Sequence, residues 1–221
     1  MSIVVGDIAV AYGAARRWRA ACPAPVHLLA GARATVGAID AVARNSPLLC
    51  PPYADATAGW LEALRGGDVE AVAGRLAGAG PGLTPAGDDA LAGVLVVARI
   101  LWGVSAEATL LQCVGDVCTS DLSRAFLFWA ARGQSIAPTH DLLIAVARGD
   151  IWAAERRARI LGGVGASSGA DACLGIGHAL RLLPVRSAAE SSRQPWPDGR
   201  TGCATCGPGR SGNGWHHRAA I

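Results

Sequence analysis

The residues best placed to do chemistry lie in one short segment, GPGLTPAGDDALAG, Gly80 to Gly93. Thr84 is of a type that caps helices, and Pro85 suits a first helical position, where a missing N–H costs nothing. A helix is therefore expected to start near Pro85. Its free N–H groups and the positive end of its dipole form a natural seat for a phosphate or carboxylate, and Gly82 and Gly87 allow a ligand close to the backbone. Asp88 and Asp89 are candidate catalytic residues. On a helix they point about 100° apart, so only one of them can face a given pocket squarely. An aspartate beside an anion site can accept hydrogen bonds from an amide or carbamoyl NH₂, hold Mg²⁺ or act as a general base. The plainer alternative is that acids in a first turn complement the helix dipole.

A second segment, GGVGASSGAD, repeats the pattern of glycines, a hydroxyl and an acid that lead into an apolar helix. Ser168 and Asp171 fit an S-x-x-D capping box, which is a purely structural role. The surrounding glycines exceed what a cap needs. Ser167, Ser168, Gly169 and Asp171 are accordingly candidate substrate-binding residues, as are Gly82, Thr84 and Gly87. Gly87, Asp89 and Gly93 align with Gly169, Asp171 and Gly175 at one offset, so an internal repeat is worth testing. A third polar cluster, Thr119 to Arg124, sits at another helix start. Its Thr119 and Ser123 join the candidate binding residues, and Arg124 is a candidate anion ligand.

The elements that must position these groups are mostly helical. Short strands are expected at IVV, IAVAY and VHLLAG in a β-containing part, residues 1–53, and Gly37 to Arg44 is open to either assignment. Residues 54–184 read as a helical bundle. Its helices are expected around Trp60–Leu64, Val69–Leu76, Pro85–Trp102, Ala106–Cys118, Asp121–Arg132, Thr139–Arg148, Ile151–Leu161 and Ser168–Leu183, with Gly133 and Gly149 as terminators and Asp150 as a cap. Residues 185–221 read as a low-complexity, disordered tail. The fold class is thus α+β and predominantly α.

Composition narrows the function. The chain has 221 residues, 51% hydrophobic and 17% charged, enough for one sizeable core. The apolar run Ala90 to Ala106, interrupted by Arg99, is short of the roughly 20 residues of a spanning helix and reads as a buried bundle helix. The N-terminus lacks a basic region ahead of its apolar stretch, so no signal peptide and no membrane are expected, and cytoplasmic residence is. All 20 basic residues are arginine, which excludes lysine Schiff-base chemistry and a P-loop lysine. A net charge of +3 without a basic, aromatic-interleaved stripe argues against nucleic acid. Of seven cysteines, Cys22, Cys50, Cys113, Cys118 and Cys173 are expected as buried free thiols. Cys203 and Cys206 with His216 and His217 match zinc-ligand spacing poorly, so no metal and no cofactor are expected. His27, His140 and His178 lack a partnered nucleophile and read as structural.

At GPGLTPAGDDALAG the chain resembles the bacterial family that includes the AllH-type subunit of oxamate carbamoyltransferase. Thr119, Ser120, Ser123, Leu127, Ala130 and Gly133 resemble its middle block, and Gly165, Ser167, Ser168, Gly169 and Asp171 its late glycine-rich block. The likeness covers roughly residues 55 to 183. Two features depart from it: Ala166 stands where the family often has histidine, and the N-terminal part is shorter. The resemblance implies participation in carbamoyl transfer, from oxalurate and phosphate to oxamate and carbamoyl phosphate, in a complex with other subunits. Two alternatives remain open, a noncatalytic assembly subunit and a stand-alone protein for another small carboxylate or phosphate compound.

Overall fold

The computed structural model describes residues 2–14 and 18–185. The proposed tail and its Cys203/Cys206 pair lie outside them. Two strands, β1 (Ser2–Val5) and β2 (Ile8–Ala11), form an antiparallel hairpin with Ser2 opposite Ala11 and Val5 opposite Ile8. Ten α-helices follow among the described residues, and the fold is predominantly α with a small β part. VHLLAG, expected as a strand, instead opens helix α1 (Pro25–Ala43). Pro25 at its first position starts the helix, and burial of Leu28, Ala32, Ile39 and Val42 overrides the β-branched local pattern. The same helix takes up Gly37 to Ala43.

Short helices α2 (Tyr53–Ala56) and α3 (Trp60–Arg65) lead to α4 (Val69–Leu76) and the central α5 (Ala86–Trp102). Then come α6 (Glu107–Gly115), α7 (Asp121–Ala131), α8 (Ala137–Ala147), α9 (Ile151–Gly162) and α10 (Ser168–Leu182). Of the 17 residues of α5, 14 are buried, as expected of a helix apolar nearly all round. Among the described residues, α1 is the one helix long and apolar enough to cross a membrane. Its buried stripe packs against α8, α9 and α10, which is how a bundle's core helix behaves.

The crossing of α5 and α10 is the axis of the bundle, and its geometry is reciprocal. A β-carbon built on Gly93 would lie 2.5 Å from the Ala172 carbonyl oxygen, and one on Gly175 would lie 1.9 Å from the Ala90 oxygen. Gly87 likewise presses on the last turn of α4, 1.9 Å from Leu76 O, and Gly169 on that of α9, 1.8 Å from Leu161 O. Asp68 caps α4 through the Ala71 N–H at 2.9 Å, and Asp150 caps α9 through Ala153 at 2.9 Å. The pairs α4–α5 and α9–α10 thus share one local arrangement, a capped helix against which the first-turn glycine of the next helix presses, and they meet through α5 and α10. The echo of Gly87, Asp89 and Gly93 in Gly169, Asp171 and Gly175 falls on the second helix of each pair.

Cys113 and Cys173 are buried, but Cys22 and Cys50 are exposed. Cys118 is disulfide-bonded, so only part of the expectation of buried free thiols holds. Burial pushes the Cys173 thiol up to about 12, leaving it inert at neutral pH.

Candidate functional site

Each of the two pairs ends its connecting loop at a helix start, and the crossing of α5 and α10 brings those starts together. The site is assembled there. Thr84 does not cap α5; Pro85 occupies the cap position without a side-chain bond. The Thr84 hydroxyl instead donates to Asp89 Oδ2 at 3.1 Å and lies 3.3 Å from Ser168 Oγ. Ser168 is the first residue of α10 rather than its cap, so the capping-box reading fails. The Ser168 side chain meets Thr84, a partner outside its own helix.

The two neighbouring aspartates part company. Asp88 is 2% exposed, and its oxygens accept from the Gly78 N–H at 2.8 Å and from the Thr119 hydroxyl. It ties the α4–α5 loop to the loop before α7. Asp89 faces a cleft. Burial is the main cause that raises its carboxyl to about 6; the Ser168 and Thr84 hydroxyls oppose the rise, and nearby Asp171 and Asp88 add to it. At neutral pH such a group exchanges protons readily, the property a general acid or base needs.

Asp171, the counterpart of Asp89, is fully buried and accepts from Ser46 Oγ. Burial raises its pKa too, against the lowering effect of Ser46 and Ser167. Ser46 comes from the turn after α1, so the second pair's acid is closed off where the first pair's acid stays open. Of the remaining candidates, Gly169 lines the cleft, Ser123 is buried in the first turn of α7, and Gly82 lies in the loop before α5. The Gly87 N–H already donates to Ala79 O at 2.7 Å, and the Gly169 N–H to Val164 O at 3.0 Å. Arg124 donates to the Gly115 carbonyl at 3.2 Å. Ser120 caps α7 by accepting from Ser123 N at 3.1 Å.

The cleft encloses about 780 Å³. Thr84, Asp89, Ser168 and Gly169 stand in its wall with Ala92, Gly93 and Ala172 of the crossing helices. Trp18, Phe126 and Trp129 supply aromatic surface, and Glu107 and Arg132 supply charge. Sequence reasoning missed this aromatic and cationic side. A signal existed: Phe126, Trp129 and Arg132 follow each other at i, i+3 and i+6 on α7 and its last turn, while Leu127 and Ala130 are the buried face.

Arg132 is held by its surroundings. Its guanidinium stacks 3.8 Å over the Phe128 ring, and its Nε pairs with Glu107 Oε1 at 3.3 Å. Glu107 also meets Arg99 at 3.4 Å. Two guanidinium groups share one carboxylate, leaving one positive charge in excess. Arg132 Nη1 and Arg99 Nε are buried and have no hydrogen-bond partner, an arrangement that favours an added acceptor. Among the described residues no three His, Cys, Asp or Glu side chains gather as a metal site would require.

No curated protein and no solved structure matches the chain. One protein family does, over residues 76–180, and the stretch holds Asp88, Asp89, Thr119, Ser168, Asp171 and Arg132 together. Residues 76–180, from the last turn of α4 into α10, match the family described as oxamate carbamoyltransferase subunit AllH.

Proposed function

We propose that this chain is the subunit of an oxamate carbamoyltransferase assembly that binds the carbamoyl-bearing substrate, with Asp89 as its working carboxyl. The observation that carries the reading is the placement of Asp89. It stands at the meeting point of two helix starts, flanked by the Thr84 and Ser168 hydroxyls, and its pKa is raised to about 6. Ionised, it accepts hydrogen bonds from a carbamoyl NH₂ and orients the carbonyl carbon. Protonated, it can deliver a proton to the nitrogen that leaves as oxamate when phosphate attacks that carbon and the C–N bond breaks. The products of that step are oxamate and carbamoyl phosphate, as in cytoplasmic nitrogen recovery from allantoin.

In this reading Thr84, Ser168 and Gly169 position the carbamoyl group. Asp88, Thr119, Ser123, Ser167 and Asp171 hold the helix starts, and Gly82 and Gly87 let the loop and helix approach. The small anion lies against the Thr84 and Ser168 hydroxyls, beside the carbamoyl carbon, rather than on the Gly87 N–H, which is already engaged. The test is carbamoyl phosphate formation from oxalurate and phosphate by the reconstituted complex. Wild-type turnover that persists unchanged in Asp89→Asn removes the assignment.

A second reading, an assembly subunit without catalysis, draws on exposed apolar side chains away from the cleft. Trp152 is 82% exposed and Val104 75%. Under it, Trp152→Ser weakens assembly while Asp89→Asn leaves turnover intact.

A further inference from the structure

The cleft has more length and more apolar wall than a ligand of oxamate size can use. A volume near 780 Å³ belongs to the roughly 300–1,000 Å³ range of sites that enclose drug-sized molecules. Among its polar groups two sets lie at opposite ends. One is Asp89 with Thr84 and Ser168, at the starts of α5 and α10. The other is Arg132 with Glu107, which also pairs with Arg99 behind the wall. Asp89 and Arg99 lie ten residues apart on one continuous helix, about 15 Å along its axis. Gly133 packs directly on the Arg99 side chain, where an added β-carbon would lie 3.1 Å from Cγ, so its neighbour Arg132 sits at that far level.

Between the two sets the floor is made of small residues, Ala92, Gly93 and Ala172. Above it stand aromatic side chains with much of their surface open: Trp129 is 54% exposed, Trp18 53% and Phe126 49%. Large, solvent-facing aromatics around a small-residue floor suit a flat apolar group. A buried, unpartnered Nη1 beside an excess positive charge suits a carboxylate, which the guanidinium edge recognises by direction as well as charge.

We infer that the cleft binds an elongated ureido acid, with its carbamoyl head at Asp89, a flat apolar spacer against Trp129 and Phe126, and its carboxylate on Arg132. The head-group assignment rests on the reading of Asp89 proposed above; the spacer and the carboxylate rest on the far half of the cleft alone.

The test is titration calorimetry of the full chain with four probes: 4-ureidobenzoate, phenylurea, oxalurate and inorganic phosphate. 4-Ureidobenzoate has all three parts, phenylurea lacks the carboxylate, and oxalurate lacks the ring. 4-Ureidobenzoate is expected to bind at least ten-fold more tightly than phenylurea and than oxalurate, and to quench tryptophan fluorescence. Arg132→Gln removes its advantage over phenylurea, whereas Trp129→Ala weakens both ring-bearing probes. Because Arg132→Gln disturbs the Glu107 pairing, thermal unfolding checks its fold, and Phe126→Ala gives an independent variant of the same wall. Equal affinity for 4-ureidobenzoate and phenylurea overturns the inference, as does an Arg132→Gln loss that is the same for both. No binding of 4-ureidobenzoate overturns it whatever oxalurate or phosphate does. Turnover of oxalurate by the complex, lost in Asp89→Asn, with no 4-ureidobenzoate binding would leave the carbamoyltransferase reading standing and sink this one. Binding without turnover would do the reverse.

Discussion

Thr84 and Ser168 place their hydroxyl oxygens 3.3 Å apart across the starts of two helices that belong to separate halves of the bundle. This contact exists because Gly93 and Gly175 let α5 and α10 cross with backbone nearly touching backbone. It brings two hydroxyls to one carboxylate, and the burial that accompanies it raises the pKa of Asp89. Site chemistry and helix packing thus share one cause.

Asp89→Asn is expected to abolish carbamoyl transfer and yet to stabilise the chain above pH 6. The native carboxyl is raised from 3.8 to about 6, so the folded state holds its proton while the unfolded state has already released it. Between pH 4 and 6 stability therefore falls as pH rises, and above 6 the full penalty is present. Allowing for partial solvent screening, that penalty is about 1–2 kcal/mol. Asparagine can still accept from Thr84 and carries no charge to bury. Urea unfolding at pH 4 and 7.5 should show a gain in the mutant only at the higher pH; a loss there refutes the account.

Asp88 should behave in the opposite way. Its carboxylate joins the Gly78 N–H and the Thr119 hydroxyl in a site nearly closed to water. Asp88→Ala orphans both donors and is expected to cost about 2–4 kcal/mol of stability. Asp88→Asn keeps one acceptor and costs about 1 kcal/mol, with a far smaller loss of turnover than Asp89→Asn. Chemical denaturation together with initial rates separates the two aspartates, and equal rate losses at both positions would assign Asp88 to the chemistry.

The contrast shows what was legible in the sequence. The helix periods of α4, α5, α7 and α9 and the cap Asp150 could be read because each depends on neighbours within a turn or two. The divergence of Asp88 and Asp89 followed from helix geometry alone. The cap roles assigned to Thr84 and Ser168 were local readings as well, and a contact 84 residues away overrode them. The VHLLAG segment failed for a similar reason: its conformation is decided by burial of Leu28 and Ile39 against distant helices. The cleft's aromatic wall gathers Trp18 with α7, a juxtaposition that no local pattern encodes.

The glycines at the helix crossing should tolerate no side chain. A β-carbon at Gly175 would sit 1.9 Å from Ala90 O, inside any possible contact distance and against backbone that cannot rotate away. Gly175→Ala is expected to cost about 3 kcal/mol or more and to separate Thr84 from Ser168. Gly37 is the matched control, an exposed position in the middle of α1 with nothing within 4 Å of the added carbon. There alanine should stabilise by about 0.5–1 kcal/mol through helix propensity. Thermal unfolding that ranks the two substitutions the other way would overturn the tight crossing.

His140 gives the cleft a pH-sensitive edge. Its ring is 1% exposed and accepts the Ser135 N–H at Nε2, 3.1 Å away, so the proton resides on Nδ1, which donates to Ala21 O at 3.2 Å. Trp18, which lines the cleft, packs edge-on against the same ring with centroids 5.7 Å apart. Burial lowers the histidine pKa, only partly offset by the Ala21 carbonyl and by Asp141. Both states are neutral above the unfolded value of 6.5, where the stabilisation is complete. As pH falls below 6.5 the unfolded chain takes up the proton first, and the stabilisation drains away until the folded ring also protonates. Protonation at Nε2 then turns the acceptor of Ser135 into a donor and frees the segment 18–22 from α8. Amide exchange of residues 18–22 should therefore accelerate relative to the α5 core between pH 7 and 5, after correction for intrinsic rates. In His140→Gln, which can bridge the same two groups without titrating, that acceleration should vanish; its persistence would show that another group releases the segment.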